Sequence, residues 1–426
     1  MALYRKTTLK NGTRVILVPS HDTQACTVLV LFEVGSRYEP PALAGASHYV
    51  EHMMFKGTKK RPTTMAISRD LDSVGADYNA FTGKDYTGYY IKLNAEKTPL
   101  AVDMLHDMLF RSTYRAEECK REREVIKEEI NMYEDNPIMQ AEELLEELVY
   151  QGALARPIAG THATMDGIGR EALIRYRDEY YVPSRMIVSV AGKIGDDVLG
   201  LLEATFGRVK EPRKKARTFA PSALSAGGPR LALKYKDTEQ IQFALGFPGY
   251  PYGHPKMAAL SVLSTILGGG MSSRLFTEVR ERRGLAYSVR SGLNPYQDVG
   301  NFAIQAGLTK AKIEEGITVI LKEIGKLVKS GVTAEELTRG KEYIKGKTVL
   351  GLEESSALAE FFAKQELLQR AMETPEEKLA KIEAVTREEI RDVAREIFRT
   401  SSLSAALIGP YKDKAPFMKL LRVPNA

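Results

Sequence analysis

Cysteine is nearly absent from the sequence. Cys26 and Cys119 are the only two, and their separation excludes a Cys-x-x-Cys pair and a disulfide framework, leaving two buried free thiols as the expectation. Long hydrophobic runs are missing too: nothing approaches the ~18 apolar residues that a helix needs to cross a bilayer. No membrane segment is expected. Nor does one sign of charge prevail, since 61 Lys and Arg face 55 Asp and Glu and the two kinds alternate without forming a basic stripe. Nucleic acid is therefore not expected as a partner. The opening Met1-Ala2-Leu3-Tyr4-Arg5-Lys6 runs straight into a strand-like pattern, without the apolar stretch of a signal peptide. The address expected is the cytoplasm.

What is present is the make-up of a globular protein, 43% apolar and 27% charged. A length of 426 residues exceeds one ordinary core and predicts two or more domains. Histidine is scarce, six in all, yet two of them flank a glutamate in Gly45-Ala46-Ser47-His48-Tyr49-Val50-Glu51-His52-Met53-Met54-Phe55-Lys56-Gly57-Thr58. Four apart on a helix, His48 and His52 project from one face, with Glu51 beside them. Two neutral imidazoles can hold Zn2+ while a nearby carboxylate, itself not a ligand, takes a proton from a water that the ion acidifies. The pattern is H-x-x-E-H, the inverted zinc-peptidase motif. Solvated or core-paired side chains are the plain alternative. His21, His106, His162 and His254 lack ligand spacing and read as structural or solvated.

A catalytic zinc needs a third protein ligand and one open position. The helix expected over 116–133 offers Glu117, Glu118, Glu122, Glu124, Glu128 and Glu129. Val125, Ile126, Ile130 and Tyr133 mark its apolar face, on which Glu122 and Glu129 lie; Glu124 and Glu128 fall on the wet side with Lys127 and Asn131. A carboxylate on a buried face needs a partner. Glu129 is read as the ligand and Glu122 as the group orienting a ligand His, with Glu128 the rival to Glu129. Taken alone, the helix fits better an exposed one whose carboxylates pair with Arg121 or Arg123, because charge runs are usually solvated.

Elsewhere the pattern predicts a hairpin over 7–18 turned at Asn11-Gly12, a buried strand over 26–34, and strands over 75–82 and 85–93. Helices are expected over 45–55, 64–74, 99–109, 139–150 and 170–180, followed by a strand over 186–191. A stretch rich in Pro and Gly at 210–229, carrying Arg213-Lys214-Lys215, reads as a linker. Strands resume at 230–235 and 241–246. The spacing from Arg170 to Gly192 equals that from Arg387 to Gly409, twenty-two residues, in segments of similar pattern. This predicts an internal duplication: an N-terminal zinc domain at 1–209 and a C-terminal counterpart at 230–426. The glycines Gly268-Gly269-Gly270 are not followed by Gly-Lys-Ser/Thr and do not form a phosphate loop.

Three segments, His48 to Thr58, Asn79-Ala80-Phe81-Thr82 and Glu122 to Glu129, resemble the pitrilysin and insulinase family of zinc peptidases (inverzincins). Within it they are similar to the short branch of bacterial peptidases and mitochondrial processing peptidase, and the likeness covers nearly the whole chain. It implies an α+β fold of two homologous domains, each a mixed or antiparallel sheet packed with helices, the processing-peptidase-like metallohydrolase fold. It implies one Zn2+ per chain on His48, His52 and Glu129, supported by Glu122, with Glu51 as general base. Asn79, Ala80, Phe81 and Thr82 match the family's substrate edge strand, on which an extended peptide pairs. Arg280 and Tyr287, seven apart, match its Arg/Tyr pair, which contacts substrate near the scissile bond. The activity implied is hydrolysis of short or unfolded peptides inside a chamber enclosed by two copies of the chain. Two alternatives stay open: a non-catalytic scaffold subunit, and a presequence-processing peptidase with a partner chain. His162 stands where relatives more often carry an acidic residue.

Overall fold

A computed structural model describes residues 3–20, 22–213 and 217–425; His21 and the Lys214-Lys215 part of the expected linker lie outside the described residues. Six strands, β1 Arg5–Thr8, β2 Arg14–Pro19, β3 Ala25–Phe32, β4 Asp77–Thr82, β5 Thr87–Asn94 and β6 Met186–Gly192, form one sheet in the order β1-β2-β6-β3-β5-β4. Five more, β7 Arg230–Tyr235, β8 Gln240–Gly249, β9 Ala286–Pro295, β10 Gly300–Thr309 and β11 Ser404–Gly409, form a second in the order β7-β11-β8-β10-β9.

From β2 onward the two orders are the same. The directions agree as well: β2–β6 and β7–β11 are parallel, and every other pair is antiparallel. The repeated twenty-two-residue spacing falls on the helices Arg170–Tyr180 and Arg387–Ile397, which lead into β6 and β11. The fold is α+β with an internal duplication. β3, reading Ala-Cys-Thr-Val-Leu-Val-Leu-Phe, is buried at all but its first residue, as a β-branched and apolar run covered on both faces should be. β4 ends its sheet and is only partly buried.

Two compact units result, one of residues 1–131, 156–220 and 350–374, the other of 132–155, 221–349 and 375–426. The chain crosses from the first to the second between Ala220 and Pro221, inside the expected linker, but a single cut there does not separate them. Helix Pro137–Val149 belongs to the second unit, where Ala141, Leu145 and Val149 pack with Ala244 of β8 and Ala406 and Ile408 of β11. Helix Ser355–Gln369 belongs to the first, where Ala359, Phe362, Ala363 and Leu367 pack with Leu29 and Leu31 of β3 and Ile187 and Ala191 of β6. Its buried Glu366 meets Lys6 at 2.6 Å and Arg14 at 3.4 Å. An amphipathic pattern announces an apolar face and leaves open which sheet receives it, so neither assignment follows from the sequence.

Candidate metal centre

Helix Ala46–Met54 starts at Gly45, whose φ of +96° is left-handed backbone that glycine adopts freely. A side chain there would also meet the Ala159 carbonyl oxygen at 2.6 Å. Tyr49, Val50, Met53 and Met54 seat the helix in the core of the first unit. His48 is buried and Glu51 and His52 are half-buried.

The Nε2 atoms of His48 and His52 lie 3.2 Å apart. From the helix Ala116–Asp135, Glu129 brings Oε2 to 3.6 Å from the first and 3.5 Å from the second. Donors bound about 2.0–2.2 Å from one tetrahedral zinc lie roughly 3.3–3.6 Å from each other. The donor set of two imidazoles and one carboxylate therefore fits that ion in number, type and spacing. No other group of three or more His, Cys, Asp or Glu side chains among the described residues converges in this way. Glu128 is exposed. One detail of the helical phase needs correction: Val125 is 47% exposed, and the buried stripe runs through Cys119, Glu122, Ile126 and Ile130. A β-branched residue on a highly charged helix need not face the core.

His52 Nδ1 donates to Glu122 Oε1 at 3.0 Å, which leaves the Nε2 lone pair for an ion. Glu122 is itself clamped, its Oε2 lying 2.7 Å from Lys56 Nζ. Lys56 lies two residues beyond the end of that helix, so helical spacing within the motif does not point to it. Burial, with the His52 charge alongside, lowers His48 to about 4 and keeps it neutral. Burial would lower His52 as well, but Glu122 and Glu129 outweigh it and hold it up at about 9. Glu51 is raised by burial, while the Thr82 hydroxyl, donating to its Oε2 at 2.5 Å, acts in the opposite direction.

Thr82 ends β4, the strand to which Asn79, Ala80 and Phe81 also belong. Among the described residues β4 pairs only with β5, and the Ala80 amide donates to the Asn79 side-chain oxygen at 2.9 Å. Arg280 and Tyr287 lie in the second unit, the guanidinium 4.9 Å from the Phe276 ring centroid and 5.4 Å from that of Tyr287. Arg280 sits in a π-helical turn, Phe276–Glu281, a rare backbone form that occurs frequently at functional sites. Tyr287 is 71% exposed. His106 packs against Phe110 and Phe206, His254 stacks on Tyr250, and His162 pairs with Asn131. Both cysteines are free and buried.

Residues 14–162 match the family described as Insulinase (Peptidase family M16), and 167–344 match the Peptidase M16 inactive domain. An uncharacterized zinc protease of Streptomyces coelicolor is 39% identical over 96% of this chain and 90% of its own length. One from Bacillus subtilis is 37% identical over 96% and 98%. A solved protease from Helicobacter pylori superposes with a TM-score of 0.89 at 26% identity, covering 96% of this chain and 99% of that one. A solved peptidase M16 inactive domain from Pseudomonas fluorescens shares the fold, with a TM-score of 0.88 at 19% identity over 96% and 98%.

Proposed function

Since the chain belongs to the Insulinase (Peptidase family M16), we propose that it is a zinc metalloendopeptidase that hydrolyses short or unfolded peptides. The observation that carries this reading is the meeting of His48 Nε2, His52 Nε2 and Glu129 Oε2 within 3.2–3.6 Å of one another, with Glu51 on the same helix and not among the donors.

One zinc ion, when bound, would acidify a water and polarise the scissile carbonyl. His48, His52 and Glu129 hold it, and Glu122 with Lys56 keeps the His52 ring in its ligating tautomer. Glu51 takes the proton of the attacking water at Oε1, because Oε2 already accepts from Thr82. The same carboxyl then delivers the proton to the leaving amine. The backbone of Asn79, Ala80, Phe81 and Thr82 receives the substrate as an added strand, whose hydrogen bonds ignore side chains and suit varied sequences. Arg280 and Tyr287 donate to a substrate carbonyl and its developing oxyanion.

Two copies of the chain enclose the chamber in this reading, each supplying Arg280 and Tyr287 to the other's zinc, and the enzyme works in the cytoplasm. No helix among the described residues is long and apolar enough to cross a membrane. A non-catalytic scaffold role fits less well with a donor set that is complete. A processing role with a partner chain differs in specificity alone, and a cleavage-site profile on a peptide library tests it, one dominant site favouring processing.

The decisive test compares bound metal and peptide hydrolysis in the wild type and Glu51→Gln. Metal is expected in both and turnover in the wild type only. A wild-type protein that takes up no zinc would end the reading. Mixing inactive Glu51→Gln with inactive Tyr287→Phe chains tests the sharing, which is wrong if mixed dimers form without activity.

A further inference from the structure

We propose that Glu39 is a positioning residue of the metal centre, acting through the start of the helix that carries His48, Glu51 and His52. The inference rests on the zinc reading above. Glu39 stands six residues ahead of Gly45 and is only 4% exposed. Its Oε2 accepts from the Gly45 amide at 2.7 Å and its Oε1 from the Ser47 amide at 2.7 Å. The first amides of a helix have no partner within it, and here the capping position is a glycine without a side chain to supply one. One carboxylate from an earlier turn therefore serves two amides. His48 is the third helical residue, so holding the Ser47 amide fixes the backbone directly before the first zinc ligand.

A capping role alone does not call for a buried charge. Ser, Thr or Asn at the helix start satisfies an amide with much less loss of hydration, whereas burial pushes the Glu39 carboxyl up to about 7 against the pull of the Gly45 and Ser47 amides. What a carboxylate adds is negative charge beneath a positively polarised helix end, one turn from where a dication would bind. The groups that face Glu39 do not replace it. The Arg156 guanidinium donates to the Glu39 backbone carbonyl at 2.6 Å and adds positive charge, while the Ser47 hydroxyl also bonds the Glu39 carboxylate and shares a 2.7 Å bond with the Tyr176 hydroxyl. Tyr180 meets the neighbouring Tyr38 carbonyl at 3.3 Å.

The segment leading to Glu39 also grips the turn between β4 and β5. The Ser36 and Arg37 amides bond to the Gly83 and Lys84 carbonyls at 3.1 Å each, and the Arg37 guanidinium meets Asp85 at 2.7 Å, both buried. Gly35 permits this approach, since a side chain there would sit 2.3 Å from the Gly83 carbonyl oxygen. One strut thus joins the helix of the zinc ligands to the strand end where Thr82 holds Glu51.

The test measures zinc affinity by competition with a chelator, alongside melting temperature, kcat and KM, on the full-length protein. Glu39→Gln, which keeps one acceptor and no charge, is expected to bind zinc about 10-fold more weakly and to lose kcat with KM within about 2-fold. Glu39→Asp keeps the charge at shorter reach and should fall between, roughly 3-fold weaker than wild type. Tyr176→Phe, touching the same helical turn without altering charge, should lower the melting temperature and leave zinc affinity unchanged. A folded Glu39→Gln that melts early yet binds zinc as tightly as wild type overturns the inference. Should Glu39→Gln not fold, Glu39→Asp decides, and wild-type affinity there overturns it equally. A wild type that binds no zinc refutes the zinc reading instead.

Discussion

Strand β3 leads to helix Ala46–Met54 and its counterpart β8 to helix Met257–Gly268, yet the first helix carries His48, Glu51 and His52 while the second has no titratable side chain at all. In the second helix Leu260, Val262, Leu263, Ile266 and Leu267 are buried in the core. One strand order supports both. The sheet therefore specifies where the helix lies and not what it does, and the chemistry resides in a few side chains placed on a common frame. The first unit buries Glu39 and Glu122 around its helix, whereas the second packs its helix mainly with apolar side chains.

The largest expected effect breaks the symmetry outright. Glu51→Gln should lower kcat for a peptide by roughly 10³–10⁴ with zinc content unchanged; residual turnover above one-tenth of wild type would remove Glu51 from its role. At the matching helix of the second unit, Leu263, fully buried, gives the opposite outcome. Leu263→Ala should destabilise by about 2–5 kcal/mol, read by denaturant unfolding, while folded protein keeps its zinc affinity. Next in size is Lys56→Met, expected to weaken zinc binding about 10-fold by releasing Glu122 from its clamp; chelator competition checks it, and unchanged affinity would make Lys56 a bystander.

The smallest effect is a contrast in pH dependence, measured on metal-stripped protein. Glu39 in the first unit has its folded value raised to about 7, so its contribution is present at acid pH and is lost as pH rises through 7. Glu336 in the second unit, pulled up by burial but more strongly lowered by Arg274 and the Thr333 amide, contributes above the ordinary carboxylate range and loses that as pH falls. The melting temperature of Glu39→Gln should gain on wild type from pH 5 to 8. The deficit of Glu336→Gln should close as pH drops towards 4. Trends of the same sign in both variants would dissolve the contrast.

The zinc motif, the helix of Glu129 and most strands are legible in the sequence because each is announced locally, by spacing on one helix or by alternation in one strand. The spacing of Arg170–Gly192 against Arg387–Gly409 revealed the duplication for the same reason. Glu39 was invisible because a carboxylate before two prolines looks like a solvated loop residue until its backbone partners are known. Thr82 was legible as part of a strand, but its bond to Glu51 depends on how β4 meets the motif helix. Lys56 follows the end of the motif helix and carries no spacing signal of its own. The homes of helices Pro137–Val149 and Ser355–Gln369 depend on pairings hundreds of residues apart, which no local window contains.

The strands of the first sheet have all been made once Gly192 leaves the ribosome, but the apolar patch formed by Leu29, Leu31, Ile187 and Ala191 gains its cover only when 355–369 follow. At ~5–20 residues per second, the newborn first unit waits roughly ten to thirty seconds with that patch wet. Translation speed and chaperone supply, and not only the finished sequence, therefore bear on how much folded protein a cell obtains.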